Sequence, residues 1–340
     1  MSARSTADYG ADPVLQVADL QVRFGTKRGR ADVVNGLTYD LYPGETLALV
    51  GESGSGKSVS TLALIGLVPQ PPGKVTGEVR YDGRNLVEAS DADIRRVRGN
   101  DIAMIFQDPM TSLNPVMTVG DQVTEGMKLH LGLSESDARS RAADLLSQVG
   151  IPAAASRLDN YPHQFSGGMR QRVMIAIGLA CQPKVLIADE ATTALDVTIQ
   201  AQIVELIQQL QQDFGTAVIW ITHDLGVVAG LADRVMVMYA GRIVEQAQVD
   251  DLYDEAMHPY TDGLLGSLPV LGQGRGEQLT AIAGLPPDPT AMPQGCAFWP
   301  RCPHRLDDRC ETEQPPLREV RDGHWNRCFY EVPTAEAAGR

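Results

Sequence analysis

Apolar and polar positions along the 340-residue chain follow two periods in turn. Residues 15–24 set Leu15, Val17, Leu20, Val22 and Phe24 against Gln16, Gln21 and Arg23, an imperfect period of two that predicts a half-buried strand. A polar turn is expected over 25–30. Further strands are expected over 33–41, closed by Pro43-Gly44, over 45–50, and over 75–81, ended by Asp82-Gly83. The runs 102–106, 185–188 and 217–222 are short and continuously apolar, as strands buried on both faces are. Between them the period lengthens. Ala138, Ala142, Leu145, Leu146 and Val149 share one helical face behind a Ser134/Asp137 capping pair, and Gly150 with Pro152 ends that helix. Residues 165–181 predict an apolar helix capped by Ser166. Residues 196–214 predict an amphipathic one carrying Ile203, Leu206, Ile207 and Leu210. A late hairpin pairs 234–239 with 242–245 about Ala240-Gly241. Buried strands alternating with helices predict an α/β core with a parallel sheet, preceded by antiparallel strands and interrupted by a mostly helical region at about 110–180.

Candidate chemistry sits where these strands end. The apolar run 47–50 leads straight into Gly51-Glu52-Ser53-Gly54-Ser55-Gly56-Lys57-Ser58, the G-x-x-x-x-G-K-S spacing of a phosphate-binding loop. Gly51, Gly54 and Gly56 permit backbone angles that a Cβ forbids, so successive N–H groups can turn onto one anion. Lys57 brings a point charge to the β- and γ-phosphates, and the Ser58 hydroxyl suits Mg²⁺. Ser53, Ser55 and Val59 complete the set of nucleotide-binding candidates, and the helix that follows turns its N-terminal dipole toward the phosphates. Gln107, Asp189, Glu190 and His223 each follow an apolar strand; with those strands parallel, the four converge on the edge that carries the loop. Adjacent carboxylates at a strand end hold Mg²⁺ beside a nucleotide, with Asp189 as the metal group and Gln107 within reach of metal or water. Phe24 has two readings, a platform for an adenine ring or a half-buried strand aromatic.

Composition changes this picture in two places. A net charge of −14 argues against a nucleic-acid groove. The opening residues lack the apolar segment of a signal peptide, and no run of roughly 18 apolar residues occurs, so an intracellular protein is expected. Of five cysteines, Cys181 falls inside an apolar helix, whereas Cys296, Cys302, Cys310 and Cys328 crowd the last tenth of the chain. In a reducing compartment that grouping points to a metal centre rather than disulfides. The close C-x2–4-C pairs of structural zinc sites are absent. Zinc with His304 or His324 substituting, an iron–sulfur cluster, and no metal all stay open from spacing alone.

Taken together, residues 15–245 resemble the ATP-binding subunit of an ABC transporter. The loop 51–58 matches Walker A and Gln107 the Q-loop. Ser166-Gly167-Gly168-Met169-Arg170 matches the signature motif, with Met where Gln is commonest. Asp189 closes Walker B, Glu190 follows as the catalytic carboxylate, Ala194-Leu195-Asp196 resembles the D-loop, and His223 stands at the switch histidine. The resemblance implies an ABC-type P-loop NTPase with a parallel-sheet core, an antiparallel β subdomain and a helical subdomain, spanning 12–250. The remainder, 251–340, is then an extension with a cysteine-rich tail at about 285–330. His258-Pro259-Tyr260-Thr261, Leu264, Leu265, Leu268-Pro269 and the cysteine tail resemble dipeptide and oligopeptide importer ATPases, whose relatives take up nickel or glutathione. That resemblance implies ATP hydrolysis coupled to peptide import, with Glu190 orienting or deprotonating water, His223 at the γ-phosphate, and Ser166 to Met169 completing the site of a partner. It further implies a second, different ATPase subunit, two transmembrane permease subunits, and indirectly a substrate-binding protein, at the cytoplasmic face of the inner membrane. The family tail is associated with a [4Fe–4S] cluster on the four cysteines. A soluble ABC ATPase outside transport is the rival class; it usually carries two cassettes or a long coiled-coil insertion, and this chain shows neither.

Overall fold

A computed structural model describes residues 12–192, 197–268, 282–305 and 308–330. Its strands are β1 (Leu15–Thr26), β2 (Gly29–Leu41), β3 (Thr46–Val50), β4 (Gly73–Tyr81), β5 (Arg84–Asn85) and β6 (Ile102–Ile105). They continue with β7 (Val185–Asp189), β8 (Ala217–Thr222), β9 (Arg234–Tyr239), β10 (Arg242–Gln248), β11 (Arg318–Arg321) and β12 (His324–Asn326). The apolar runs become the middle of an eight-stranded sheet in the order β11-β12-β10-β9-β3-β8-β7-β6, parallel from β6 to β9. Every residue of β3, β7, β8 and β9 is buried, because helices or the second sheet cover both faces.

The alternating segments form that second sheet, β2-β1-β4-β5, all antiparallel. Its apolar face (Leu15, Leu20, Val22, Leu37) shares one core with the helix Lys57–Leu64 and with Leu47, Ile187 and Ile219 of the main sheet. The helices Val119–Leu131, Glu135–Gln148 and Gly167–Leu179 bury a separate core around Val123, Leu146 and Val173. Ser134 caps the second of these as expected, its Oγ accepting from Asp137 N at 3.2 Å. Among the described residues no helix is long and apolar enough to cross a membrane.

Two departures from the sequence pattern have physical causes. The six-residue turn expected at 25–30 contracts, because β1 runs to Thr26 and β2 begins at Gly29. Asp32 on β2 then gathers two arginines, Arg30 of its own strand at 2.7 Å and Arg23 across the pair on β1 at 3.2 Å. Beyond residue 250 the chain returns to the main sheet, where β12 pairs with β10 through Glu245↔Asn326 and β11 with β12. The anchor is Glu245, fully buried, which accepts Met257 N at 2.6 Å and His258 N at 3.0 Å and lies 2.7 Å from His324 Nε2. A buried ion pair, Arg234 Nε to Glu45 Oε1 at 2.8 Å, ties the start of β9 to the residue preceding β3.

Candidate nucleotide site

The loop after β3 is shaped by its glycines and filled by its lysine. A Cβ built on Gly51 (φ +150°) would lie 2.2 Å from Met238 O, so only glycine fits there. Gly56, in the left-handed region, caps the helix Lys57–Leu64. Lys57 folds back, its Nζ donating to Gly51 O at 2.6 Å and Glu52 O at 3.0 Å. Burial lowers the lysine pKa, while the charges of Glu190, Asp189 and Glu52 oppose that shift. Among the described residues Ser55 Oγ, buried in the loop, has no hydrogen-bond partner, an orphan that suits a phosphate acceptor.

Parallel pairing brings the strand ends to this loop. Asp189, the last residue of β7, accepts from Ser58 Oγ at 3.1 Å; burial raises its pKa, and the Ser58 bond opposes the rise. Hydroxyl and carboxylate thus meet between loop and strand, two oxygen donors of the kind that suit a hard divalent cation. Glu190 leaves the strand at φ +49°, its N–H donating to Ile221 O at 3.0 Å. That turn aims its carboxylate across the sheet edge. Gln107 Nε2 donates to Glu190 Oε2 at 2.8 Å, and His223 Nδ1 lies 3.3 Å from Glu190 Oε1. A carboxylate held from two sides, with 16% of its side chain exposed, is placed to receive a proton from water at the open edge.

Ser166 accepts from Met169 N at 3.3 Å as the N-cap of the helix Gly167–Leu179. Ser166 and Gly167 are exposed, Gly168 and Met169 half-buried, and among the described residues no hydrogen bond joins them to the loop of their own chain. The signature face therefore points outward. Phe24 is half-buried on β1 against the core, opposite Gly73. Asp196 lies outside the described residues.

One residue of this site escaped the sequence pattern. Gln171, buried on the inner face of the signature helix, donates Nε2 to Ala191 O at 2.5 Å and so holds the turn behind Glu190. A polar side chain on the buried stripe of an apolar helix was the available signal.

With that geometry in place, comparison with known proteins decides the family. A family model described as "ABC transporter" matches residues 34–193, and one described as "Oligopeptide/dipeptide transporter, C-terminal region" matches 244–310. The oligopeptide transport ATP-binding protein AppD of Bacillus subtilis is 50% identical over 325 residues, which are 95% of this chain and 98% of that one. The chain belongs to the family of ABC transporter ATP-binding proteins. Within it, the dipeptide transport ATP-binding protein DppD of Bacillus subtilis is 50% identical over 328 residues, 96% of this chain and 97% of that protein. The oligopeptide transport ATP-binding protein OppD of Salmonella typhimurium is 48% identical over 98% of this chain and 99% of its own. Among solved structures, a dimeric bacterial ABC transporter cassette superposes with TM-score 0.63 at 26% identity, over 69% of this chain and 98% of the cassette.

The fold expected of an ABC ATPase, with mixed sheets, helices and a P-loop, is thus present. The cysteine tail is a different matter. Cys296, Cys302, Cys310 and Cys328 line one small cavity with His258, His304 and Tyr330, and all are free thiols. Burial raises the thiol pKa values of Cys296 and Cys302 and pushes that of Cys328 up to about 12. Yet among the described residues no three His, Cys, Asp or Glu side chains are grouped closely enough to hold a metal ion. His324, one of the two histidines weighed as a zinc ligand, is committed to buried Glu245 instead. His304 stacks on Tyr330 with ring centroids 4.4 Å apart.

Proposed function

We propose that this chain hydrolyses ATP to power import of dipeptides or oligopeptides through a membrane ABC transporter. The observation that carries this reading is the continuous likeness, near 50% identity over 95% of the chain, to peptide-transport ATP-binding proteins. The cassette occupies 12–250, with its helical subdomain at about 110–180, and 251–340 forms the extension.

In this reading the P-loop amides of Ser53 to Val59 and the Lys57 ammonium hold the triphosphate, and Phe24 lies toward the base. Ser58 and Asp189, with Gln107 nearby, hold Mg²⁺, which when bound neutralises phosphate charge. Glu190 orients the attacking water and takes its proton at a carboxylate oxygen, while Gln107 and His223 fix the direction of that carboxylate. His223 donates toward the γ-phosphate. The outward Ser166, Gly167, Gly168 and Met169 supply N–H groups and a helix N-terminus to the nucleotide held by a second ATPase subunit, and Asp196 contacts that subunit. Two transmembrane permease subunits and, indirectly, a substrate-binding protein complete the assembly, with this chain peripheral at the cytoplasmic face of the membrane.

The four cysteines are read as ligands of a [4Fe–4S] cluster, with zinc the alternative. What supports it is that the four cysteines, two buried and two half-buried, all line one small cavity. Absorbance at about 400 nm in anaerobically purified protein supports iron, whereas colourless protein with stoichiometric zinc removes the cluster. The transport reading is tested by reconstituting the chain with its partner ATPase and permease subunits in vesicles. ATP-dependent accumulation of labelled dipeptides and longer peptides is expected; uptake of nickel or glutathione alone contradicts it.

A further inference from the structure

The His258-Pro259-Tyr260 motif and the Arg301 that precedes Cys302 lie outside the cassette, yet both end on the same P-loop residue. Arg301 makes a two-pronged ion pair with Glu52, Nη1 to Oε2 at 2.6 Å and Nη2 to Oε1 at 2.9 Å. Its other donors reach Tyr239 Oη at 3.3 Å, Ile282 O at 3.3 Å and Ala283 O at 3.0 Å, so all five N–H groups are used. The Arg301 side chain is 4% exposed, beneath an aromatic cluster in which Tyr239, Tyr260 and Phe298 lie 4.6 to 5.3 Å apart. Tyr260 Oη accepts the Glu52 N–H at 2.8 Å. Tyr260 is itself fixed, because His258 Nδ1 accepts its N–H at 3.0 Å and Glu245 accepts the His258 N–H.

Glu52 is therefore held at its amide and its carboxylate by the extension, and at its carbonyl by Lys57. The lysine that meets the phosphates shares a residue with a clamp formed 208 and 249 positions downstream. An Arg–carboxylate fork with its guanidinium buried is among the stronger charge-assisted contacts a protein makes, and it fixes direction as well as distance. We infer that Arg301 and Tyr260 are positioning residues for nucleotide binding: through Glu52 they set the P-loop backbone that places Lys57. ATP affinity thereby depends on the extension being folded.

The inference rests on the reading of 51–58 as an ATP site, and the test separates the two. The full-length chain and its Glu52→Gln, Arg301→Met, Arg301→Lys and Tyr260→Phe variants are titrated with a fluorescent non-hydrolysable ATP analogue. KM and kcat are then measured in the reconstituted complex. If the parent chain binds no analogue, the site reading itself fails. If the parent binds, Glu52→Gln and Arg301→Met are each expected to raise Kd and KM about tenfold, with kcat changed far less. The Glu52→Gln/Arg301→Met double variant should be no worse than either single one, and Arg301→Lys should recover part of the loss. Kd and KM unchanged beside a lowered melting temperature would make the clamp a structural strut only and overturn the inference, as would additive losses in the double variant. Should Arg301→Met fail to fold, Glu52→Gln, at the exposed rim of the pair, and Tyr260→Phe, which removes one hydroxyl, decide the matter alone.

Discussion

Two glycines of the same loop should respond very differently to one methyl group. Among the described residues a Cβ on Gly54 meets nothing within 4 Å, so Gly54→Ala carries the strain of a non-glycine residue at φ +80°, about 1–2 kcal/mol. A Cβ on Gly51 lies 2.2 Å from Met238 O and 3.1 Å from Ser55 Oγ, at φ +150°. The backbone strain there is about 1–3 kcal/mol, and forcing the neighbouring atoms apart adds roughly 1–3 more. Met238 O belongs to β9, which pairs with the strand feeding the loop, so the carbonyl cannot yield without moving both. Gly51→Ala should therefore lose roughly 2–6 kcal/mol, a large share of the 5–15 kcal/mol typical of a domain. Urea unfolding of both variants, paired with titration of an ATP analogue, measures this. Gly51→Ala should unfold at clearly lower urea and bind nucleotide weakly, while Gly54→Ala stays closer to the parent. Equal losses in the two variants would refute the argument that β9 closes the loop from behind.

Other consequences can be checked by the same methods. Arg234→Met strands the fully buried Glu45 and should cost about 3–5 kcal/mol in denaturant unfolding, while Glu45→Gln with Arg234→Met costs much less. Equal losses in the single and double variants would show that the pair is not coupled. Burial lowers the His258 pKa from 6.5 to about 4, with the charge of Glu245 opposing. Between those values the unfolded chain binds a proton that the folded chain refuses, so this residue makes stability fall as pH falls, by up to about 1.4 kcal/mol per pH unit. His258→Asn keeps an acceptor for Tyr260 N and should flatten that slope; an unchanged slope assigns it elsewhere.

How much was legible beforehand differed by the range of the interactions. The strands 185–188 and 217–222 were visible because continuous apolar runs leave no other home, and once they are parallel the polar residues that end them must meet. The junction of Gln107, Glu190 and His223 follows from β6, β7 and β8 being parallel neighbours, together with the turn at Glu190 that aims its carboxylate between the other two. The segment 25–30 misled because its charges read as a solvated turn, when Asp32 was in fact holding Arg30 along its own strand and Arg23 across the hairpin. β11 and β12 carry too few apolar residues to announce themselves, since their place depends on pairing with β10 and on Glu245. The clamp on Glu52 was invisible for a related cause: Arg301 and Glu52 have no periodic relation, and only the closed sheet brings them together.

Turnover by Glu190→Gln tests the central claim most directly. Glutamine keeps the shape that Gln107 and His223 enclose but cannot take a proton from water. In the reconstituted complex the account predicts that ATP binding persists while ATPase turnover falls about 10²- to 10⁴-fold and ATP-driven peptide uptake stops with it. Undiminished turnover in that variant would contradict the role given to Glu190 and, with it, the mechanism proposed for this site.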